Sequence, residues 1–97
     1  MALMRAAAER ATSMLYALAN EDRLLLLCQL SQGEKSVGEL EQLLDIHQPT
    51  LSQQLGVLRT EGLVNTRRDG KRIYYSLADQ KITTILNTLY ELYCSNA

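Results

Sequence analysis

The seventeen residues from His47 to Leu63, HQPTLSQQLGVLRTEGL, decide how the rest of the chain is read. Leu51, Leu55 and Leu58 recur at i, i+4 and i+7, which places them on one stripe of an α-helix facing a core. Pro49 suits only the first turn of that helix, because it lacks a backbone N–H and fixes φ near the helical value. Gly62 fits the left-handed position after the last turn, and Leu63 is then placed to fold back on Leu58. With both ends marked, the face opposite the leucines carries Gln48, Thr50, Ser52, Gln53 and Gln54. These uncharged side chains both donate and accept hydrogen bonds, which is the chemistry that reads base edges in a DNA major groove.

Immediately downstream, Val64 to Leu77 reads VNTRRDGKRIYYSL, two alternating segments around Asp69-Gly70, a two-residue hairpin signal. The predicted pairs are Val64 with Tyr75 and Thr66 with Ile73, on a core face shared with Leu77. Asn65, Arg67, Arg72 and Tyr74 fall on the outer face, and Arg68 and Lys71 flank the tip. A cationic tip beside a tyrosine hydroxyl suits contact with phosphates or a minor groove. Upstream, Ser36 to Glu39 has the S-x-x-E pattern of a capping box, and Val37, Leu40, Leu43 and Leu44 give a short helix its apolar stripe. That helix, a turn over 45–48 and the 48–60 helix form a helix-turn-helix pair. The basic hairpin that follows makes the expected fold a winged helix-turn-helix: mainly α, with five helices and one two-stranded hairpin as the wing.

The remaining helices frame this unit. Leu3 to Ala19 reads as an amphipathic helix with Leu3, Ala7, Ala11, Met14, Leu15 and Leu18 on one side. Asn20 is placed to cap a second helix, with Glu21 and Asp22 opposing its positive end. Leu24 to Cys28 and Leu30 are apolar around most of the circumference, so this helix should be central and buried, ending at Gly33. Gly38 and Gly56 inside helices suggest a neighbouring backbone that approaches closely. Asp79 should cap a last helix whose stripe of Ile82, Ile85, Leu86, Leu89, Leu92 and Tyr93, with Tyr90 at its margin, is wider than one small domain needs. The first and last helices are therefore expected to form a homodimer interface, setting two reading helices about one DNA turn, ~34 Å, apart on an inverted repeat.

Ninety-seven residues make a single domain over 1–97. The formal net charge of −1 looks wrong for a nucleic-acid binder, but residues 48–77 carry +3 and the remainder −4. A local basic surface on an acidic body suits phosphate binding. Two cysteines, Cys28 and Cys94, are too few for a secreted disulfide scaffold, and the longest apolar run is far short of the ~20 residues that span a bilayer. No membrane anchoring or export signal is read, and the expected location is the cytoplasm. One histidine, no glycine-rich phosphate loop and no nucleophile beside a base leave no catalytic constellation, so the chain is not expected to be an enzyme.

Taken together, LANEDRLLLLCQL in the second helix, QPTLSQQLGVLRTEGLV and RRDGKRIYYSL resemble the ArsR/SmtB family of winged-helix repressors over nearly the whole length. The resemblance implies a homodimer that occupies double-stranded operator DNA and leaves it when an inducer alters the dimer. It puts Gln48, Thr50, Ser52, Gln53 and Gln54 on DNA-facing positions and Arg67, Arg68, Lys71 and Arg72, beside Tyr74, on the wing. Many such proteins sense metals, but the thiolate cluster of the third helix would fall here on Ser36, Gly38 and Glu41. The final-helix site would fall on Asp79, Lys81, Leu92 and Ser95, of which only Asp79 is a ligand type. No metal and no other cofactor is therefore expected, and His47 reads as a lone imidazole in a turn.

Cys28 and Cys94 taken alone read as core hydrophobes. The chain is, however, most similar to a persulfide- and thiol-responsive subgroup with a cysteine pair in these same two helices. That similarity implies a redox switch at Cys28 and Cys94, with a reactive sulfur species or an oxidant as inducer. The rivals are a metal-responsive repressor with an unrecognised site and a winged helix used for protein contacts; the latter would carry an apolar outer face on the 48–60 helix, where this one is rich in amides and hydroxyls.

Overall fold

The computed structural model describes residues 2–94. The elements run α1 (Ala2–Leu18), α2 (Glu21–Leu30), β1 (Lys35–Ser36), α3 (Val37–Leu44), α4 (Thr50–Thr60), β2 (Val64–Asp69), β3 (Arg72–Leu77) and α5 (Gln80–Tyr93). Five helices and a hairpin wing give the winged helix-turn-helix read from the sequence. Leu26, Leu27 and Leu30 of α2, Leu40 of α3, Leu51, Leu55 and Leu58 of α4, and Ile82 and Leu86 of α5 form one buried cluster. α2 is central to it, packing against α1, α3, α4, α5 and β3. It is not buried all round, contrary to expectation: Leu25 and Cys28 are exposed.

Several elements end where side-chain chemistry ends them. Asn20 accepts from the Arg23 N–H to open α2, and Asp79 accepts from the Lys81 N–H to open α5. At α3 the capping box is complete: the Glu39 N–H donates to Ser36 Oγ at 3.2 Å and the Ser36 N–H to Glu39 Oε1 at 2.8 Å. These bonds hold the Glu39 carboxyl below the usual range. Ser36→Ala is expected to lower unfolding free energy by about 1 kcal/mol in urea denaturation. α4 closes as predicted: Gly62 takes φ +75°, and the Leu63 N–H donates to the Leu58 carbonyl at 2.9 Å with both side chains in the core.

The sheet departs from the sequence reading in two ways. It has three strands in the order β1-β3-β2, because Lys35 and Ser36 pair with Tyr75 and Tyr74. The hairpin register also differs: Val64 pairs with Leu77, Thr66 with Tyr75 and Asp69 with Arg72. The two-residue loop is thus Gly70-Lys71 rather than Asp69-Gly70. A type I′ turn on Asp69-Gly70 needs positive φ at both residues, whereas here Gly70 alone is positive (+65°), the glycine-first pattern of a II′ turn. The shift changes every partner by two positions, so each side chain keeps its predicted face. It also carries Ile73 out along the wing opposite Arg68, where it is 41% exposed instead of buried. Leu43, expected in the stripe of α3, is likewise 54% exposed.

Most of α1 stands clear of the core formed by the other described residues. Residues 2–13 are exposed, and only Ala17 and Leu18 at its end are buried. Leu3 is 87% exposed; Met4, Leu15 and Tyr16 of α1, Leu25 of α2, and Tyr90, Leu92 and Tyr93 of α5 are also open. A compact monomer of this mass exposes about 5,600 Å²; this chain exposes 6915 Å². The open apolar side chains of α1 and α5 contribute to the surplus.

Candidate nucleic-acid interface

The first turns of α4 are held from below and open above. The Leu51 N–H donates to the His47 carbonyl at 3.0 Å, and the Ser52 N–H donates to Gln48 Oε1 at 3.1 Å. Gln48 thus spends its oxygen on the helix start, leaving its amide N–H groups outward. The Ser52 and Gln53 side chains are exposed and have no hydrogen-bond partner among the described residues; Thr50 is half-buried beside them. Gln54 does not join this face. It is half-buried, and its Oε1 accepts from Arg23 Nη1 at 2.9 Å.

On the wing, the predicted cations divide into two kinds. Arg67 is latched: Nε and Nη2 donate to the two Glu34 oxygens, each at 2.7 Å, and its guanidinium lies 4.6 Å from the Tyr74 ring centroid. The Arg67 hydrogen bonds hold the Glu34 carboxyl below the usual range. The pair therefore persists at neutral pH and is lost only as pH falls through that lowered value. Arg68 donates to the Gly70 carbonyl at the tip, whereas among the described residues Lys71 and Arg72 form no ion pair within 4.0 Å, the Arg72 charge acting on Glu39 only from farther off.

Between α3, α4 and β3 runs an open groove of about 880 Å³, lined in part by Ser52, Gly56 and Arg59 of α4, Gly38 of α3, and Lys71 and Arg72. Arg59, counted in the basic 48–77 segment but not among the residues expected to touch DNA, joins the wing cations along this groove. The close backbone neighbour expected at Gly38 and Gly56 is absent: a Cβ at either would meet nothing within 4 Å. Both glycines border the groove, so what they leave is space rather than a packed contact.

Cys28 lies on the exposed side of α2, and Cys94 follows α5, its N–H donating to the Tyr90 carbonyl at 2.8 Å. Both thiols are free. Burial pushes the Cys28 thiol above its ordinary value, and charge on the nearby Cys94 pushes it the same way. Ser36 and Asp79 serve as helix caps, and Ser95 lies outside the described residues. His47 Nε2 is 2.7 Å from an Asp45 oxygen and Nδ1 3.8 Å from Glu41, but among the described residues no group of three His, Cys, Asp or Glu side chains is placed to hold a metal.

Residues 20–66 match the family described as bacterial regulatory protein, arsR family. The biofilm growth-associated repressor of Agrobacterium fabrum is 56% identical over 82 residues, 84% of this chain and 70% of that protein. The chain belongs to the arsR family. The crystal structure of the transcriptional repressor BigR from Xylella fastidiosa superposes with a TM-score of 0.91 at 48% identity, covering 96% of this chain and 95% of that one. A homodimeric winged helix-turn-helix domain of Mycobacterium bovis, Mb0332, superposes with a TM-score of 0.80 at 30% identity, covering 92% and 82% respectively. This arsR-family member is thus a transcriptional regulator by descent, and none of its described helices is long and apolar enough to cross a membrane.

Proposed function

We propose that the protein is a homodimeric repressor, acting in the cytoplasm without catalysis, that binds an inverted-repeat operator and releases it when Cys28 and Cys94 are oxidised or bridged by persulfide sulfur. The observation that carries the DNA-binding part is the exposed face of α4, where the Ser52 and Gln53 side chains have no hydrogen-bond partner among the described residues, beside the wing cations Lys71 and Arg72, which form no close ion pair there. Thr50, Ser52 and Gln53 read base edges, with the Gln48 amide at the margin, while Arg68, Lys71 and Arg72 hold phosphates. The homodimer is supported by the open apolar faces of α1 and α5 and by the homodimeric relative. The thiol switch is supported by two free, neighbouring cysteines where no metal cluster is formed among the described residues.

Two titrations test the interface, using a duplex selected by the protein from a random-sequence pool alongside an unselected duplex. Ser52→Ala and Gln53→Ala should each lower the selected-to-unselected affinity ratio by ~1–3 kcal/mol equivalent. Equal losses on both duplexes would contradict base reading. Arg72→Ala should weaken binding to both and reduce the slope of log affinity against log salt by about 0.9. Arg67→Ala should reduce it less, since Glu34 already neutralises that guanidinium. Equal slope changes for the two would show that the Arg67–Glu34 pair opens on DNA.

A further inference from the structure

Arg23 stands in the first turn of α2, where the helix dipole disfavours a cation, and it is only 7% exposed. It has no carboxylate partner among the described residues. A buried guanidinium persists only if its donors are matched. Nε donates to the Ala17 carbonyl at 2.7 Å and Nη2 to the Tyr16 carbonyl at 2.9 Å. Both acceptors lie in the last turn of α1, where the helix end is negative, and the Tyr16 carbonyl is shared with the Ala19 N–H at 3.2 Å. The remaining fork, Nη1, reaches Gln54 Oε1 in α4, and the guanidinium sits 5.3 Å from the Tyr16 ring centroid. One side chain of α2 thereby joins the end of α1 to the middle of α4.

We propose that Arg23 and Gln54 form a strut fixing the rotation of α4 relative to α1, so that Gln54 positions the base-reading residues instead of reading bases itself. The inference rests on the assignment of Thr50, Ser52 and Gln53 to the DNA. The other anchors of α4 are Leu51, Leu55 and Leu58, whose apolar packing is non-directional and tolerates small rotations. A hydrogen bond from a rigid planar fork does not. Turning α4 by about 20° would move a side-chain tip ~6 Å from the helix axis by roughly 2 Å, which breaks a base contact. Gln53 is the next residue along the chain from the strut, so the restraint acts where it is needed.

The test uses the full chain with the selected and unselected duplexes. Gln54→Leu and Gln54→Met remove the acceptor at similar volume, and each should lose about tenfold in affinity for the selected duplex. Binding to the unselected duplex and its salt slope should stay at the parent values, because wing contacts to phosphate are untouched. Gln54→Glu keeps an acceptor for Arg23 and should retain the parent's discrimination. A Gln54→Glu loss as large as that of Gln54→Leu would overturn the strut, since a group facing DNA would suffer from the added negative charge whereas one facing Arg23 would not. Parent-like discrimination in both acceptor-free variants, with losses in Ser52→Ala and Gln53→Ala, would overturn the strut alone. If Ser52→Ala and Gln53→Ala leave discrimination intact, the base-reading assignment falls, and the strut with it.

Discussion

A Leu92→Glu protein is expected to be a folded monomer and to bind the selected duplex about 10²- to 10⁴-fold more weakly than the parent. Leu92 is 68% exposed, so its loss removes little from the protomer's core. In a dimer across α1 and α5 the same position becomes an apolar contact, and a carboxylate there would be stripped of water without a partner. The affinity loss is large because a dimer places its second reading helix at a high effective concentration near the second half-site, and a monomer forgoes this. Leu15→Glu on α1 should behave alike. Sedimentation and duplex titration check both, and two parent-like dimers would remove α1 and α5 from the interface.

The second large effect concerns the thiols. Treating reduced protein with a persulfide donor is expected to lower affinity for the selected duplex by about 5- to 150-fold, the usual range of coupling between two sites. The donor RSSH passes one sulfur atom to a cysteine thiolate and leaves as RSH. The second cysteine then attacks the inner sulfur of Cys–S–SH, forming Cys28–Cys94 and releasing H₂S, so electrons and protons balance. A direct bond needs Cα atoms within ~7 Å, and wherever α5 rests farther from α2 it must shift to form. A shift in α5 would move the proposed dimer interface, and both half-sites would then no longer be met together. Because the Cys28 thiol is held above its ordinary value, less of it is thiolate at neutral pH, and reaction at this sulfur should quicken as pH rises through that raised value. Cys28→Ser and Cys94→Ser should each bind DNA and fail to release it. Release by the double variant, or no intramolecular link by mass spectrometry, would remove both residues from the switch; since both are exposed, the core role read from the sequence does not account for them either.

The fold was legible because its signals are local. The capping box at Ser36, the leucine stripe of α4 and the glycine after it are all written within a few residues, and each appears where read. Hairpin faces were legible for the same reason, since alternation survives an even shift, whereas the register depended on which residue of a loop takes positive φ. What stayed hidden depends on contacts between residues distant in the chain. Gln54 resembles Gln53 in sequence, and only a partner 31 residues away turns it inward. Arg67 resembles Arg72 until Glu34 is seen beside it. Arg23 left one trace, a cation in a helix's first turn where anions belong.

The unsupported first turns of α1 bear on how the regulator behaves at low copy number. A helix of that length without a packing partner is marginal in water, so in the homodimer proposed above this segment would draw its support from the other protomer. Assembly and the last stage of folding would then be one event, and the competent species would grow with the square of protomer concentration while dimers are scarce. Promoter occupancy would rise from near zero over a narrow span of synthesis rates, giving a cell that makes a few chains by chance almost no silencing, and one that makes several times more nearly all of it.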